Sequence, residues 1–164
     1  MNNVRYAIIE DAQSIAQINV AAWKEAYKGL LPEELLASRK VDEKRINAWK
    51  KKIDDKSFTV LVYEDDGEVR GYLSAGSKRD DIQCDYELYA IYVDPSFQKQ
   101  GIGSSLFEEY KKTIKNSSFY LYMLNGNDKA SAFYKKMGGY SDIKHDRILN
   151  IDNYEIKEII YIFK

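Results

Sequence analysis

The sequence predicts a mixed α/β domain built on a bent sheet with helices on its flanks. Three observations carry this expectation. Runs rich in β-branched and aromatic residues alternate with stretches of helical periodicity in the order β-α-α-β-β-β-α-β-α-β. Asp66-Gly67 joins two strand-like runs, which marks a hairpin and antiparallel pairing in the first half. Two further strand-like runs, within residues 86–124, are separated by a helical stretch, and such a crossover implies a parallel pair. A sheet that changes character halfway is expected to open a cleft.

Taken in order, residues 4–8 read as a short strand, and a helix opens near Asp11, whose carboxylate can cap free backbone N–H groups. Ile15, Ile18, Ala22 and Trp23 recur at helical spacing and are expected to face the core. A Gly-Leu-Leu-Pro break at 29–32 precedes more helix. Leu30 and Leu31, beside the flexible Gly29, suit a cleft wall as well as a core. Residues 58–63 and 69–74 form the hairpin, and 86–93, "YELYAIYV", is a third strand. Ile102, Leu106, Phe107, Tyr110 and Ile114 make one apolar helical face. Residues 119–124 are another strand. Ala130, Phe133, Tyr134 and Met137 line a last helix that Gly138-Gly139 ends, and "YEIKEIIYIF" closes the sheet.

Composition narrows the function classes. At 164 residues the chain fits one domain, with 45% apolar and 31% charged residues, the balance of a soluble globular protein. No run approaches the roughly 18 apolar residues of a membrane span, and the N-terminal stretch lacks the pattern of a secretory signal, so a cytoplasmic location is expected. Twenty-five basic against 26 acidic residues give a net charge of −1, which disfavours nucleic acid as a partner. Cys84 and His145 are the only residues of their types. That excludes an intrachain disulfide and a zinc site of several Cys and His ligands, and no metal is expected. Neither residue lies in a nucleophile-elbow or protease signature.

The chemistry concentrates in "YVDPSFQKQGIGSSLF", residues 92–107. Pro95 ends the strand because it cannot donate to a sheet ladder. Gly101 and Gly103 allow close backbone approach where a helix begins and its first N–H groups have no partner. Such a helix start attracts an anion, and Lys99 adds a positive charge, so a phosphate or pyrophosphate is the natural occupant. The spacing is not that of a Walker A loop, and Leu106 stands where the dinucleotide motif has its third glycine.

Gln98-Lys99-Gln100-Gly101-Ile102-Gly103 resembles the Gln/Arg-x-x-Gly-x-Gly/Ala signature of the GNAT superfamily of acetyl-CoA-dependent N-acetyltransferases, and it follows "ELYAIYVDP" as it does there. "NGNDKASAFYKKMGGY" resembles the family's Asn-x-x-Ala-x-x-Phe-Tyr helix, and "DAQSIAQINVAAWKEAYKGLLPEE" its N-terminal helix and acceptor-side loop. The likeness covers nearly the whole chain in order. Gly139 departs from it, standing where most members have an aromatic, with Tyr140 one place later.

The resemblance implies a GNAT-like fold over residues 1–164, a single N-acetyltransferase domain with a splayed central sheet. It implies acetyl-CoA as cosubstrate, with the pantetheine arm on Ile91, Tyr92 and Val93 and the pyrophosphate on Gln98, Lys99, Gln100, Gly101, Ile102, Gly103 and Ser104. Asn127, Ala130, Phe133 and Lys136 are further cofactor contacts. Tyr134 matches the tyrosine that protonates the departing thiolate. Glu87, at the start of the central strand, is the candidate base acting through water, and Tyr89 can position that water. Trp23, Tyr27, Leu30 and Leu31 face the acceptor, a small-molecule or peptide amine. The alternative is a non-catalytic acetyl-CoA-binding regulatory module. Homodimers are common among similar proteins.

Overall fold

The computed structural model describes residues 3–164. Its core is one sheet of eight strands, ordered β1-β2-β3-β4-β5-β8-β6 with β7 paired to β8 outside that path. β1 spans Val4–Tyr6, β2 Phe58–Asp65, β3 Glu68–Ser77 and β4 Tyr86–Val93. These four are antiparallel neighbours. β5 (Phe119–Leu124) lies parallel to β4, and residues 158–163 of β8 (Tyr154–Phe163) pair antiparallel with all of β5. The β2–β3 turn places Asp66 and Gly67 both at positive φ, 51° and 77°, which is what a two-residue hairpin turn of matching twist requires.

Two helical layers cover opposite faces. α1 (Ala12–Tyr27) and α3 (Glu43–Asp54) bury Ile15, Ile18, Ala22 and Trp49 against Val60, Val62 and Tyr72. α4 (Ile102–Thr113) and α5 (Asp128–Lys136) cover the other face. There Leu106, Phe107 and Tyr110 meet Leu61, Leu73, Leu88, Phe119 and Phe163. Alternation along β2 explains the split: Leu61 points to one layer and Val60 and Val62 to the other. Burying one such aromatic or aliphatic side chain contributes about 1.5–3 kcal/mol. A short α2 (Glu33–Ser38) links α1 to α3.

The structure adds and corrects elements. The first strand stops at Tyr6, and a 3-10 turn, Ile9–Asp11, precedes α1. Asp11 does not cap that helix with its side chain. Its carboxylate instead takes hydrogen bonds from Arg5, at 2.7 and 3.0 Å, and from the Ile8 N–H at 2.8 Å. β6 (Tyr140–Ser141) and β7 (Arg147–Ile151) lie in a segment for which no element is named from sequence. β7 and β8 form a hairpin whose turn, Asp152-Asn153, has both residues at positive φ, a pair that tolerates the left-handed region.

Gly139, the departure from the family pattern, has a packing cause. A Cβ there would lie 2.5 Å from the ring of Phe163, so this ring already fills the space beside the turn. Phe163 stacks on Phe119 with centroids 4.6 Å apart. α5 closes with Gly138 at φ 95° and the Gly139 N–H on the Tyr134 carbonyl at 2.9 Å, the left-handed exit expected of a glycine-terminated helix.

Candidate active site

The cleft begins where two strands part. β4 pairs with β5 only through Tyr86–Phe119 and Glu87–Tyr120. Beyond those positions β4 remains paired to β3 and β5 to β8, but the facing edges no longer meet. A β-bulge helps to separate them: Ser74 pairs with Ala90 and Ala75 with Leu88, which leaves Tyr89 as the extra residue of β4. The result is a cleft of about 1120 Å³ walled by residues 88–93 of β4, residues 121–123 of β5, and the starts of α4 and α5.

One end of this cleft is a helix start. Asp94 accepts from the Ser96 N–H and Pro95 opens a 3-10 turn, so the chain leaves the sheet at once. Lys99 (φ 62°) and Gly101 (φ 80°) adopt left-handed conformations that swing the backbone into α4. Gly101 provides no side-chain cap, so the first N–H groups of α4 are left for a ligand. Gln98, Lys99, Gly101, Ile102, Gly103 and Ser104 line the cleft, together with Asn127, Ala130, Phe133 and Lys136. Gln100 is exposed and lies outside the lining. Asn127 also caps α5, accepting from the Ala130 N–H at 3.3 Å.

Tyr134 reaches the same cleft from α5. It is 9% exposed and packs among Phe133, Tyr161 and Phe163, yet its hydroxyl makes no hydrogen bond to any described residue. Burial, and secondarily the neighbouring Tyr27, push its pKa well above that of a free phenol. It therefore stays protonated, with a donor free to face a ligand.

The opposite wall comes from α1 and the segment after it. Trp23, Tyr27, Leu30 and Tyr89 line the cleft, whereas Leu31 packs beside Leu35, Leu124 and Ile156 and does not. The Tyr27 and Tyr92 hydroxyls are 3.2 Å apart, joining the α1 wall to β4. Asn19, Arg39, Tyr122 and Glu158 also line this part. Sequence reasoning passed over these four. The carboxylate directly before the apolar run 159–163 of β8 was the available signal for Glu158.

Glu87 does not join them. It is 1% exposed, absent from the cleft lining, and held on all sides. Arg79 reaches Oε1 through Nη2 at 2.6 Å, and Oε2 accepts from the Arg79 backbone N–H and the Tyr120 hydroxyl, both at 2.9 Å. The physical reason lies in register: Glu87 sits at the last rung where β4 and β5 still pair, before the strands part. The expectation that Glu87 activates the acceptor through water does not fit this placement.

Among the described residues no cluster of three His, Cys, Asp or Glu side chains could hold a metal ion. No described helix is long and apolar enough to cross a membrane. Cys84 is buried with Ile82 and Tyr120.

Comparison with known proteins settles the family. The profile of the acetyltransferase (GNAT) family matches residues 15–139. The chain belongs to the GNAT family of acetyltransferases. This GNAT chain is 30% identical over 160 residues to the uncharacterized N-acetyltransferase YuaI of Bacillus subtilis, covering 95% of the chain and 86% of that protein. It is 25% identical over 142 residues to the spermidine N(1)-acetyltransferase of Thermoplasma acidophilum, covering 82% and 86%. In fold, the GNAT chain resembles the crystal structure of the PaiA N-acetyltransferase of Thermoplasma acidophilum in complex with coenzyme A. The TM-score is 0.67, with 21% identity over 95% of this chain and 96% of that one.

Proposed function

We propose that residues 1–164 act as one N-acetyltransferase domain that moves the acetyl group of acetyl-CoA to a primary amine of a small molecule or peptide. The observation that carries this reading is the splay of β4 from β5, with the uncapped start of α4 at one end and the free Tyr134 hydroxyl inside. Coenzyme A in the PaiA crystal structure supports the same class of ligand for this cleft.

The shape of the cleft supports the donor half of this reading. The backbone of Ile91 and Val93, on the edge where β5 no longer pairs with β4, takes the pantetheine arm as a further strand would be taken, by position rather than side-chain identity. The N–H groups from Gly101 to Ser104 receive the pyrophosphate, with Lys99 supplying a mobile charge. Asn127, Ala130, Phe133 and Lys136 flank the arm on the α5 side. When bound, the thioester supplies an activated acetyl group. The backbone N–H of Ile91 polarises its carbonyl, and Tyr134 gives a proton to the departing sulfur.

The acceptor half must first free an amine. A lysine-like amine, with a pKa of about 10.4, arrives protonated and has to lose a proton before it attacks. Glu87 is unsuited to this because Arg79 and Tyr120 occupy its oxygens. We therefore assign the step to water in the cleft between Tyr27, Tyr89 and Tyr122. Direct attack within a ternary complex needs no covalent enzyme intermediate. A regulatory module that binds acetyl-CoA without catalysis would have no use for a buried tyrosine with a free hydroxyl.

Thermal shift with acetyl-CoA, CoA, ATP and NAD tests the donor. Stabilisation by the two CoA compounds alone is expected, and no response to either removes the reading. Thiol release over amino acids, polyamines, aminoglycosides and peptide N-termini then separates an enzyme from a binder.

A further inference from the structure

Two opposite charges face the acceptor end of the cleft, and neither belongs to the donor machinery. Arg39, in the link between α2 and α3, places its guanidinium 4.0 Å from the centroid of the Trp23 ring and lines the cleft. No carboxylate among the described residues forms a salt bridge with it, and none is among the main influences on its charge. Burial and the like charge of Arg45 make its charge harder to hold, and only Tyr92, Tyr72 and Tyr27 oppose them. A partly buried cation with no anion beside it is costly unless a ligand supplies one. A guanidinium held over an indole can still offer its donor edge for two-point binding of a carboxylate.

Glu158, on β8, is the second charge. Its Oε2 accepts from Arg147 Nε at 2.6 Å, and Oε1 has no donor among the described residues. Arg147 is itself shared, giving its Nη1 to Asp80 at 2.9 Å while its guanidinium lies 3.7 Å from the Tyr122 ring centroid. One guanidinium thus serves two carboxylates, which leaves Glu158 only part of its charge compensation. Tyr27 stands within electrostatic reach of both Glu158 and Arg39. After the larger effect of burial, which raises its pKa, Glu158 raises it further and Arg39 lowers it.

We propose that the acceptor is an amino acid-like molecule that carries a carboxylate as well as its amine, with Arg39 on its Trp23 platform taking the carboxylate and Glu158 facing the ammonium. The reading rests on the acetyl transfer proposed above and deepens it. The donor's phosphates are not the intended partner of Arg39. Arg39 lies with Trp23, Tyr27 and Tyr72 on the α1 side of the sheet, whereas α4, whose start would hold the phosphates, packs on the other face.

The test is a set of matched pairs. Proteinogenic amino acids and β-alanine are each compared with their own carboxamide, with spermidine and putrescine as cations lacking a carboxylate. In the wild-type protein kcat/KM is expected to fall at least about tenfold when the carboxylate becomes an amide, the scale of one lost charged contact. In Arg39→Gln that ratio is expected to approach one, chiefly through KM. With CoA bound, the N-acetylated amino acid is expected to raise Tm more than its amide does. If Arg39→Gln does not fold, the wild-type ratio and the Tm comparison still decide. Equal or better use of the amide or of spermidine overturns the proposal. So does binding of acetyl-CoA without turnover of any carboxylate-bearing amine. Failure of acetyl-CoA itself to bind is a distinct result, and it removes the donor reading together with this one.

Discussion

Glu87 accepts from Arg79 Nη2 at 2.6 Å while sharing its second oxygen between the Arg79 backbone and Tyr120, so this strand-start carboxylate is a structural tie. It fixes the β3–β4 loop to the last rung before the cleft opens. Glu87→Gln is expected to cost about 1–3 kcal/mol of stability, the scale of a buried charged hydrogen bond, with Arg79 half-exposed and free to find water. In urea titration the midpoint should fall, while kcat stays within about threefold. A fall of more than about a hundredfold in kcat at unchanged stability would restore Glu87 to the chemistry.

Tyr134→Phe separates proton donation from binding. Loss of the hydroxyl is expected to lower kcat by about a hundredfold while the Kd of acetyl-CoA changes little. Because burial raises the pKa of this phenol, the protonated form persists through the ordinary phenol value. The kcat profile should then show no alkaline fall due to Tyr134 up to about pH 10. Stopped-flow thiol release against pH, in both proteins, reads the two effects.

The two glycines of the helix start should differ. Gly101 has φ 80°, so Gly101→Ala is strained by about 1 kcal/mol before any ligand is considered, and acetyl-CoA should raise its Tm less. Gly103 has an ordinary φ, and a Cβ there would meet Phe133 at 3.6 Å, a normal contact. Gly103→Ala should fold and bind with little change. Thermal shift with and without CoA compares them.

Acid should loosen the wall that aims Trp23 and Tyr27. Burial favours protonation of Asp11, but its bonds to Arg5 and to the Ile8 N–H outweigh that and hold its pKa below the ordinary carboxylate value. The folded state therefore favours the charged form. The stability it contributes is complete above about pH 4 and is lost as pH falls through the lower folded value. The Tm difference between the wild-type protein and Asp11→Asn should be largest near neutral pH and shrink below about pH 4.

Much of the fold was legible because its signals are local. β4, β5 and β8 run where β-branched and aromatic residues cluster, and α4 buries the face its periodicity marks. The Asp152-Asn153 turn is equally local, and its two residues suited to positive φ between alternating runs would have announced β7. The residues of the helix-start motif from Gln98 to Ser104 lie on the cleft wall, Gln100 excepted. Glu87 lies off the cleft for a reason that is not local. Whether a strand-start carboxylate meets a cleft or a closed rung depends on where two strands separate, and the partner strand lies 33 residues away in the Glu87–Tyr120 pair. Arg39, between α2 and α3, and Glu158, on the closing strand, line one cleft, a placement that spacing does not encode.

The parting of β4 from β5 has a mechanical side. Only two rungs join the antiparallel half of the sheet to the β5–β8 half, with the α4 layer packed across both. A thioester arm laid along Ile91 and Val93 would serve as a removable rung and stiffen the seam from within. Amide hydrogen exchange along β4 and β5 would then slow together when the cleft fills, although the ligand touches few of those amides directly.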